Sequence, residues 1–273
     1  MTIDLHMHSQ CSDGALSPSE LMQRAHEQGV TVAALTDHDT LAGLAAARVA
    51  AESLQMGFID GIEFSSRWGK IGVHIVGLAL DVSSAPLQQK VAEQGLARRE
   101  RNETIGHKLA KIGVADAYRR ACDLAQGEPG RPHFAQLLVN DGLVPDSARA
   151  FKKYLGSGKV GDIRLQWPAM NEVVDTIKAA GGVAVLAHPA KYGLTRTKLR
   201  AMVADFAEYG GDAIEIISGQ QPAGVAQDLA NIAQEFGLKG SQGSDFHQPG
   251  LPWQELGAIG VLPETVVPIW QHW

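Results

Sequence analysis

The sequence predicts an α/β protein with a parallel sheet, open or closed into a barrel. Two observations carry this. Short apolar segments alternate with amphipathic stretches of helical period, the signature of βαβ units. Histidines and acidic residues gather where the apolar segments end, and the carboxyl ends of strands are where barrels and open α/β sheets keep their sites. A third observation sets the scale. A chain of 273 residues, 45% hydrophobic and 20% charged, can build one large domain or a domain with an insertion, and its composition is not that of a disordered protein.

The elements follow in order. Strands are expected at Thr2–His8, Thr31–Thr36, Gly57–Glu63, Gly72–Leu78, Gly182–Ala187, Asp212–Ile217 and Leu238–Gln242. The first helix is expected over Ser17–Gln28, where Ser17 can cap, Pro18 suits the first turn and Glu20 completes a capping box. Further helices are expected at Leu41–Gln55, Ala169–Ala180, Thr197–Tyr209 and Ala223–Phe236. The stretch from about Pro86 to Trp167 breaks the rhythm. It holds a long helical pattern over Leu87–Ile112, shorter helical pieces and no convincing strand. Residues 86–167 are therefore read as a helical insertion, and residues 1–85 with 168–273 as the α/β body.

Composition narrows the function classes. The net charge of −6 lacks the excess of a broad nucleic-acid footprint, though local basic patches are compatible with it. Two cysteines, Cys11 and Cys122, make neither a disulfide framework nor a zinc-finger spacing. The N-terminal segment has no basic and apolar signal pattern, and no apolar run reaches the ~18 residues of a membrane span. The expectation is a soluble, cytoplasmic protein with no membrane association and no obligate protein partner.

The chemistry-bearing residues cluster in sequence space. His6 and His8 lie two apart on the first strand and so share a face. "TDHDT" places Asp37, His38 and Asp39 after the second strand, Glu63 closes the third and His74 lies on the fourth. His188 follows the fifth, and Asp245 and His247 follow the last. A single histidine on an apolar strand is more often a core residue than a ligand. Burying this many uncompensated polar groups at one end of a sheet is costly, and a metal cluster is the economical partner. Nitrogen and oxygen donors without thiolates suit Zn, Mn or Fe, and nine ligands are too many for one ion, so two or three ions are implied.

"DLHMHSQCSDG", "TDHDT", "GIEFS", "AHP" and "GSDFH" together resemble the motifs of the PHP (polymerase and histidinol phosphatase) family. The resemblance runs over nearly the whole chain. It implies a distorted (β/α)7 barrel carrying a trinuclear metal site, with manganese the expected metal and zinc or iron the alternatives. By motif, the first ion is held by His6, His8, Glu63 and Asp245. The second shares Glu63 and adds His74 and His188. The third is held by Asp13, His38 and His247. Many relatives carry histidine where this chain has Asp13, a swap that keeps a ligand. Asp37 is read either as orienting a ligand histidine or as a turn cap.

Clustered divalent ions beside carboxylates favour phosphoester hydrolysis, with Glu63 catalytic as the bridge between two ions that activate a water. "GRPHFAQLL", "FKKYLGSGKVG" and "SQGSDFHQPGLPWQELG" resemble the bacterial branch that contains 3′,5′-nucleoside bisphosphate phosphatase and a 5′→3′ exoribonuclease. That resemblance implies a mononucleotide or short oligonucleotide substrate. Arg131, His133 and Lys159 are the candidate phosphate contacts. Arg131 suits bidentate binding, and His133 could instead donate a proton to the leaving oxygen. Arg98, Arg99 and Arg101 read as a solvated helix face. Three competing readings stand beside this one: a histidinol-phosphate-type phosphatase, an amidohydrolase acting on C–N bonds, and a non-catalytic metal-binding module.

Overall fold

Seven strands form one sheet in the order β1 to β7, neighbour to neighbour along the chain. The structure is a computed structural model and describes residues 1–125, 128–156, 158–163, 167–222 and 224–272. Ala223, where the last helix was expected to begin, lies outside the described residues, as do 126–127, 157 and 164–166 within the expected insertion. The strands are β1 (Ile3–Asp4), β2 (Val32–Leu35), β3 (Gly57–Trp68), β4 (Ile71–Leu78), β5 (Val183–Leu186), β6 (Ala213–Ser218) and β7 (Lys239–Gly243). Beyond β1 the chain stays extended and closes the barrel against β7. Leu5 N donates to Gln242 O (3.1 Å), Asp245 N to His6 O (2.8 Å) and His8 N to Phe246 O (2.9 Å).

The parallel sheet expected from the sequence is interrupted once. β4 runs antiparallel to both β3 and β5. The cause is the two-residue Gly69–Lys70 turn, with Gly69 at φ +57°. It is far too short for a parallel crossover. Glu63 does not end β3 as expected. The strand runs on to Trp68, and Glu63 sits just past the point where its partner changes from β2 to β4.

Helices α1 (Pro18–Glu27), α2 (Leu44–Ser53), α7 (Met170–Ala179), α8 (Arg196–Glu208) and α9 (Val225–Glu235) join the strands. The capping box of α1 forms as its sequence requires, with Ser17 and Glu20 bonded reciprocally to each other's backbone. Between β4 and α7 come α3 (Ala85–Ala110), α4 (Ala117–Ala125), α5 (Arg131–Asn140), α6 (Ser147–Ala150) and a π-turn at Phe151–Leu155. These helices share an apolar core of their own, around Ile105, Leu109, Phe134, Leu138 and Leu155. The N-terminal end of α3 instead sends Leu87 into the core beneath α7 and α8.

Inside the barrel, Leu5, Ala34, Val76, Leu78, Val185 and Ala213 pack together as an apolar plug. The other end of the barrel holds buried histidines and carboxylates instead. Burying an apolar side chain there would gain about 1.5–3 kcal/mol. The sequence forgoes that gain over a whole cluster of residues at this end, which marks it as the functional one.

Candidate metal centre

His6, His8, Asp13, His38, Glu63, His74, His188, Asp245 and His247 meet at the polar end of the barrel. Glu63 is central and 1% exposed. Its Oε1 lies 3.3 Å from His6 Nε2, 3.0 Å from His74 Nδ1 and 3.0 Å from His188 Nε2. Its Oε2 lies 2.9 Å from His38 Nδ1 and 3.3 Å from His8 Nε2. Asp245 Oδ1 stands 3.5 Å from His8 Nε2 and 3.7 Å from His6 Nε2. Asp13 Oδ1 stands 3.4 Å from His247 Nε2, and its Oδ2 is 3.8 Å from His38 Nε2.

Local structure explains the convergence. Gly243 lets β7 press against the first strand; a Cβ there would lie 2.3 Å from His6 Cβ. Asp39, His188 and Asp245 hold φ of +55°, +30° and +56°. Such backbone costs about 1–3 kcal/mol per residue and collects at functional sites.

The donors crowd in a way that hydrogen bonding alone does not satisfy. Five ring nitrogens face the two oxygens of Glu63. Glu63 Oε2 and His38 Nδ1 are close but misaligned, and both are buried without a hydrogen bond, as are His8 Nδ1 and His188 Nδ1. Each such orphan costs about 1–3 kcal/mol. Lone pairs aimed at shared points are what a cation requires. Three groups of donors lie close enough to hold one: His6, His8 and Glu63; His38, Glu63 and His74; and His8, Asp13, His38 and His247.

The electrostatics agree. Burial would raise the carboxyl of Glu63, yet His38, His74 and His6 hold it well below the carboxylate range. Burial likewise opposes ionisation of Asp13, where His38 and His247 prevail. Burial opposes the charge on His6, but Glu215 and Glu63 push it well above its ordinary value. Burial also opposes the charge on His247, which Asp13 carries up to about 9. His8 is driven the other way, to about 3, by burial and by His247 and His38. The carboxylates stay ionised, and the histidines pushed up beside them, His6, His38 and His247, balance them with protons, a role that divalent ions can take over.

The sequence reading missed the groups that support this ring. Glu215, buried on β6, takes a hydrogen bond from the His188 amide (2.6 Å) and faces His6 Nδ1 at 3.1 Å. It thereby turns His6 Nε2 toward Glu63. A lone acid in the otherwise apolar strand "AIEIIS" was the available signal. Lys191 donates to Asp245 Oδ2 at 2.6 Å. Asp37 does not orient a histidine. It accepts from Ser9 N (2.7 Å), Ser9 Oγ (2.6 Å) and Ser12 Oγ (2.6 Å), fixing the loop that carries Asp13. Glu215→Gln, which keeps the shape but weakens the pull on His6, is expected to lower metal affinity by about 10–100-fold. Calorimetric metal titration measures this, and unchanged affinity would refute the role.

The solvated helix face expected for Arg98, Arg99 and Arg101 holds only for Arg99, whose side chain is 63% exposed. Arg98 is ion-paired with buried Asp39 and bonded to Ser65 Oγ. Arg101 is 7% exposed. They belong to a polar stripe of α3, Gln94, Arg98, Arg101 and Asn102, that faces inward at helical spacing. Arg98, Arg101 and Arg131 line a 150 Å³ cavity together with Asp13, His38 and His74. Among the described residues Arg101 makes no ion pair; its guanidinium lies 5.9 Å from the Trp167 ring. Burial, with Arg131 and Arg98 beside it, pulls Arg101 down to about 9.

Arg131 opens α5, and burial lowers its pKa. His133, on the same turn, accepts from Gly130 N at Nδ1 (3.0 Å), so its neutral ring carries the proton on Nε2. Burial holds His133 below the ordinary histidine range. It is not in the cavity wall. Lys159 is exposed in a turn and also lies outside that wall.

Known proteins give an independent comparison. A family model described as "PHP domain" matches residues 4–123. The chain is 44% identical to a Haemophilus influenzae protein named 5′-3′ exoribonuclease, over 98% of this chain and 97% of that one. It is 40% identical to a 3′,5′-nucleoside bisphosphate phosphatase of Chromobacterium violaceum, over 99% and 95%. A solved C. violaceum structure, called an amidohydrolase and holding sulfate and no metal, superposes with a TM-score of 0.93 at 39% identity, over 99% and 95% of the two chains.

Proposed function

The chain belongs to the PHP family, and from that premise we propose that it is a metal-dependent phosphoesterase. Its substrates are 3′,5′-nucleoside bisphosphates, cleaved to the 5′-nucleotide and phosphate, or short 5′-phosphorylated oligoribonucleotides degraded 5′ to 3′, or both. One observation carries the reading: three guanidiniums share a cavity of phosphate size with Asp13, His38 and His74 of the donor ring. The names of the two relatives, and the sulfate in the solved C. violaceum structure, point the same way.

The assignment proposed for the donors is His6, His8, Glu63 and Asp245 for one ion, Glu63, His74 and His188 for a second, and Asp13, His38 and His247 for a third. Manganese is the proposed metal, with zinc or iron also suited to these donors. Divalent ions bound there would supply Lewis-acid charge and a nucleophilic water at neutral pH. Arg98, Arg101 and Arg131 bind and orient the phosphoryl group as planar guanidinium donors. His133, outside that cavity wall, is retained as an outer contact able to donate a hydrogen bond from Nε2 rather than a proton, since its ring is held neutral. Lys159 is retained as an outer contact for longer substrates. Residues 86–167 are proposed to act as a unit that shapes the substrate site, supported by their separate apolar core. A cytoplasmic location is proposed from the free thiols of Cys11 and Cys122.

The test is release of phosphate and nucleotide, with Mn²⁺ supplied, from adenosine 3′,5′-bisphosphate, a 5′-phosphorylated short RNA and histidinol phosphate. Turnover of either nucleotide substrate supports the reading, and the relative rates rank phosphatase against exonuclease. Activity on histidinol phosphate alone would replace the reading with a small-monoester phosphatase. Silence on all three would return the question to C–N bond hydrolysis or metal binding without catalysis. Asp13→Ala and His247→Ala are each expected to cost about one equivalent of bound metal. Turnover should fall about 100-fold, or ~2.7 kcal/mol of transition-state stabilisation. Elemental analysis beside the rate assay checks both, and full activity with unchanged metal content would end the three-ion assignment.

A further inference from the structure

We propose that a second cavity, walled on one side by Val91, Ala92, Gly95 and Leu96 of α3 and on the other by Cys11 and Thr40, is the nucleoside subsite. It would hold base and ribose while the scissile phosphoryl group lies over the donor ring. The inference rests on the phosphoesterase reading above and adds where, and how loosely, the substrate's organic part is held.

Size comes first. The arginine-lined cavity measures 150 Å³, below the ~300–1,000 Å³ of sites that enclose a whole small ligand. It accommodates a phosphoryl group and leaves the nucleoside to be housed elsewhere. The second cavity measures 380 Å³ and shares His38 and Arg98 with the first. A ligand can therefore run from one to the other past Arg98, which Asp39 holds in place. The lining also changes character, from charged to predominantly apolar. Leu96, 63% exposed, stands at its wall as a large apolar side chain without cover.

Gly95 adds an independent argument. It lies within a 26-residue helix, where glycine is among the poorest helix formers. Close packing does not demand it, because a Cβ there would meet no atom within 4 Å. Gly95 is exposed on the cavity wall, so a side chain there would enter the cleft.

Most polar groups of the wall are engaged with partners, and Arg99, 63% exposed, stands at the edge of the wall 3.6 Å from Glu128. Glu128 accepts from Asn102 (2.6 Å) and Tyr118 (3.1 Å), Ser12 donates to Asp37 (2.6 Å), and Thr40 Oγ1 accepts from Ala42 N (3.2 Å). Apolar faces remain to receive the base, so the subsite takes purines and pyrimidines alike.

The test uses the Mn²⁺-loaded protein and three measurements. Gly95→Leu fills the cavity with a better helix former, so unfolding does not explain a loss. It is expected to raise KM for adenosine 3′,5′-bisphosphate by about tenfold or more. Its kcat/KM for p-nitrophenyl phosphate, which has no nucleoside, should stay within about twofold. Gly95→Ala should sit between wild type and Gly95→Leu with a raised Tm. In the wild type, 5′-AMP should slow alkylation of Cys11 by iodoacetamide several-fold, read by peptide mass spectrometry against Cys122, while inorganic phosphate should not. Bisphosphates of the four common nucleosides should differ by less than about tenfold in kcat/KM.

Equal loss on both substrates in Gly95→Leu, no loss on either, or equal protection of Cys11 by AMP and phosphate would overturn the subsite. So would a strong preference for one base. The phosphoesterase reading fails separately, if the wild type hydrolyses no nucleotide.

Discussion

Glu63→Gln is expected to lower turnover by about 10³-fold and to strip metal from the protein. The substitution conserves volume and removes one negative charge. Five imidazole nitrogens lie within 3.3 Å of the Glu63 carboxylate, and it is the residue proposed to be shared between two ions. Its charge is the one feature that lets so many nitrogens sit together with cations among them. A neutral amide can offer one oxygen and must point its NH₂ at the remaining rings. Loss of several kcal/mol of charge stabilisation at a metal site converts to about 10³ in rate. Elemental analysis, Tm with and without Mn²⁺, and the phosphate-release rate form the measurement. The Tm gain on adding Mn²⁺, a mass-action effect of binding to the folded state, should shrink with the metal content. Retained metal and a rate within tenfold of wild type would remove Glu63 from the centre of the site.

The barrel and the convergence of these donors were legible because they rest on local patterns. An apolar strand ending in a polar residue repeats along the chain, and the period-two spacing of His6 and His8 fixes their common face. The features that escaped depend on relations the chain order does not display. The reversal of β4 turns on a two-residue link at Gly69–Lys70, hidden within a long β-forming run from Gly57 to Leu78. Asp37 and Asp39 sit two apart in one motif, yet Asp37 braces the Ser9–Ser12 loop and Asp39 holds Arg98. Nothing in "TDHDT" distinguishes them. The "LARRERNE" segment reads as solvated because charged residues on a helix usually are. Its inward stripe shows only when Gln94, Arg98, Arg101 and Asn102 are taken at helical spacing against a neighbour not yet placed. Glu215 needed no partner to be noticed, only the question of why an acid stands inside "AIEIIS".

Arg101→Met is expected to split stability from function. Arg101 is a buried guanidinium with no ion pair among the described residues, and Arg98 and Arg131 beside it repel its charge. An unpartnered buried charge costs free energy that a linear apolar side chain of similar reach does not. In phosphate-free buffer the variant should therefore melt higher than wild type. A gain of about 1 kcal/mol corresponds to roughly 2–4 °C for a chain of this order of size. The same change removes a planar donor from the cavity proposed to hold the phosphoryl group. KM for adenosine 3′,5′-bisphosphate should rise about 10–100-fold, in line with ~1.5–3 kcal/mol for a hydrogen bond to a charged group. Added phosphate should raise the Tm of wild type and leave the variant little changed, because only wild type gains a partner for the buried charge. If Arg101→Met melts lower in the absence of phosphate, its contact with Trp167 outweighs the repulsion and the guanidinium serves the fold. If KM stays at the wild-type value, the phosphoryl group is held by Arg98 and Arg131 alone. A higher Tm together with a raised KM would show that the free protein stores unfavourable charge at the place where the substrate's anion relieves it.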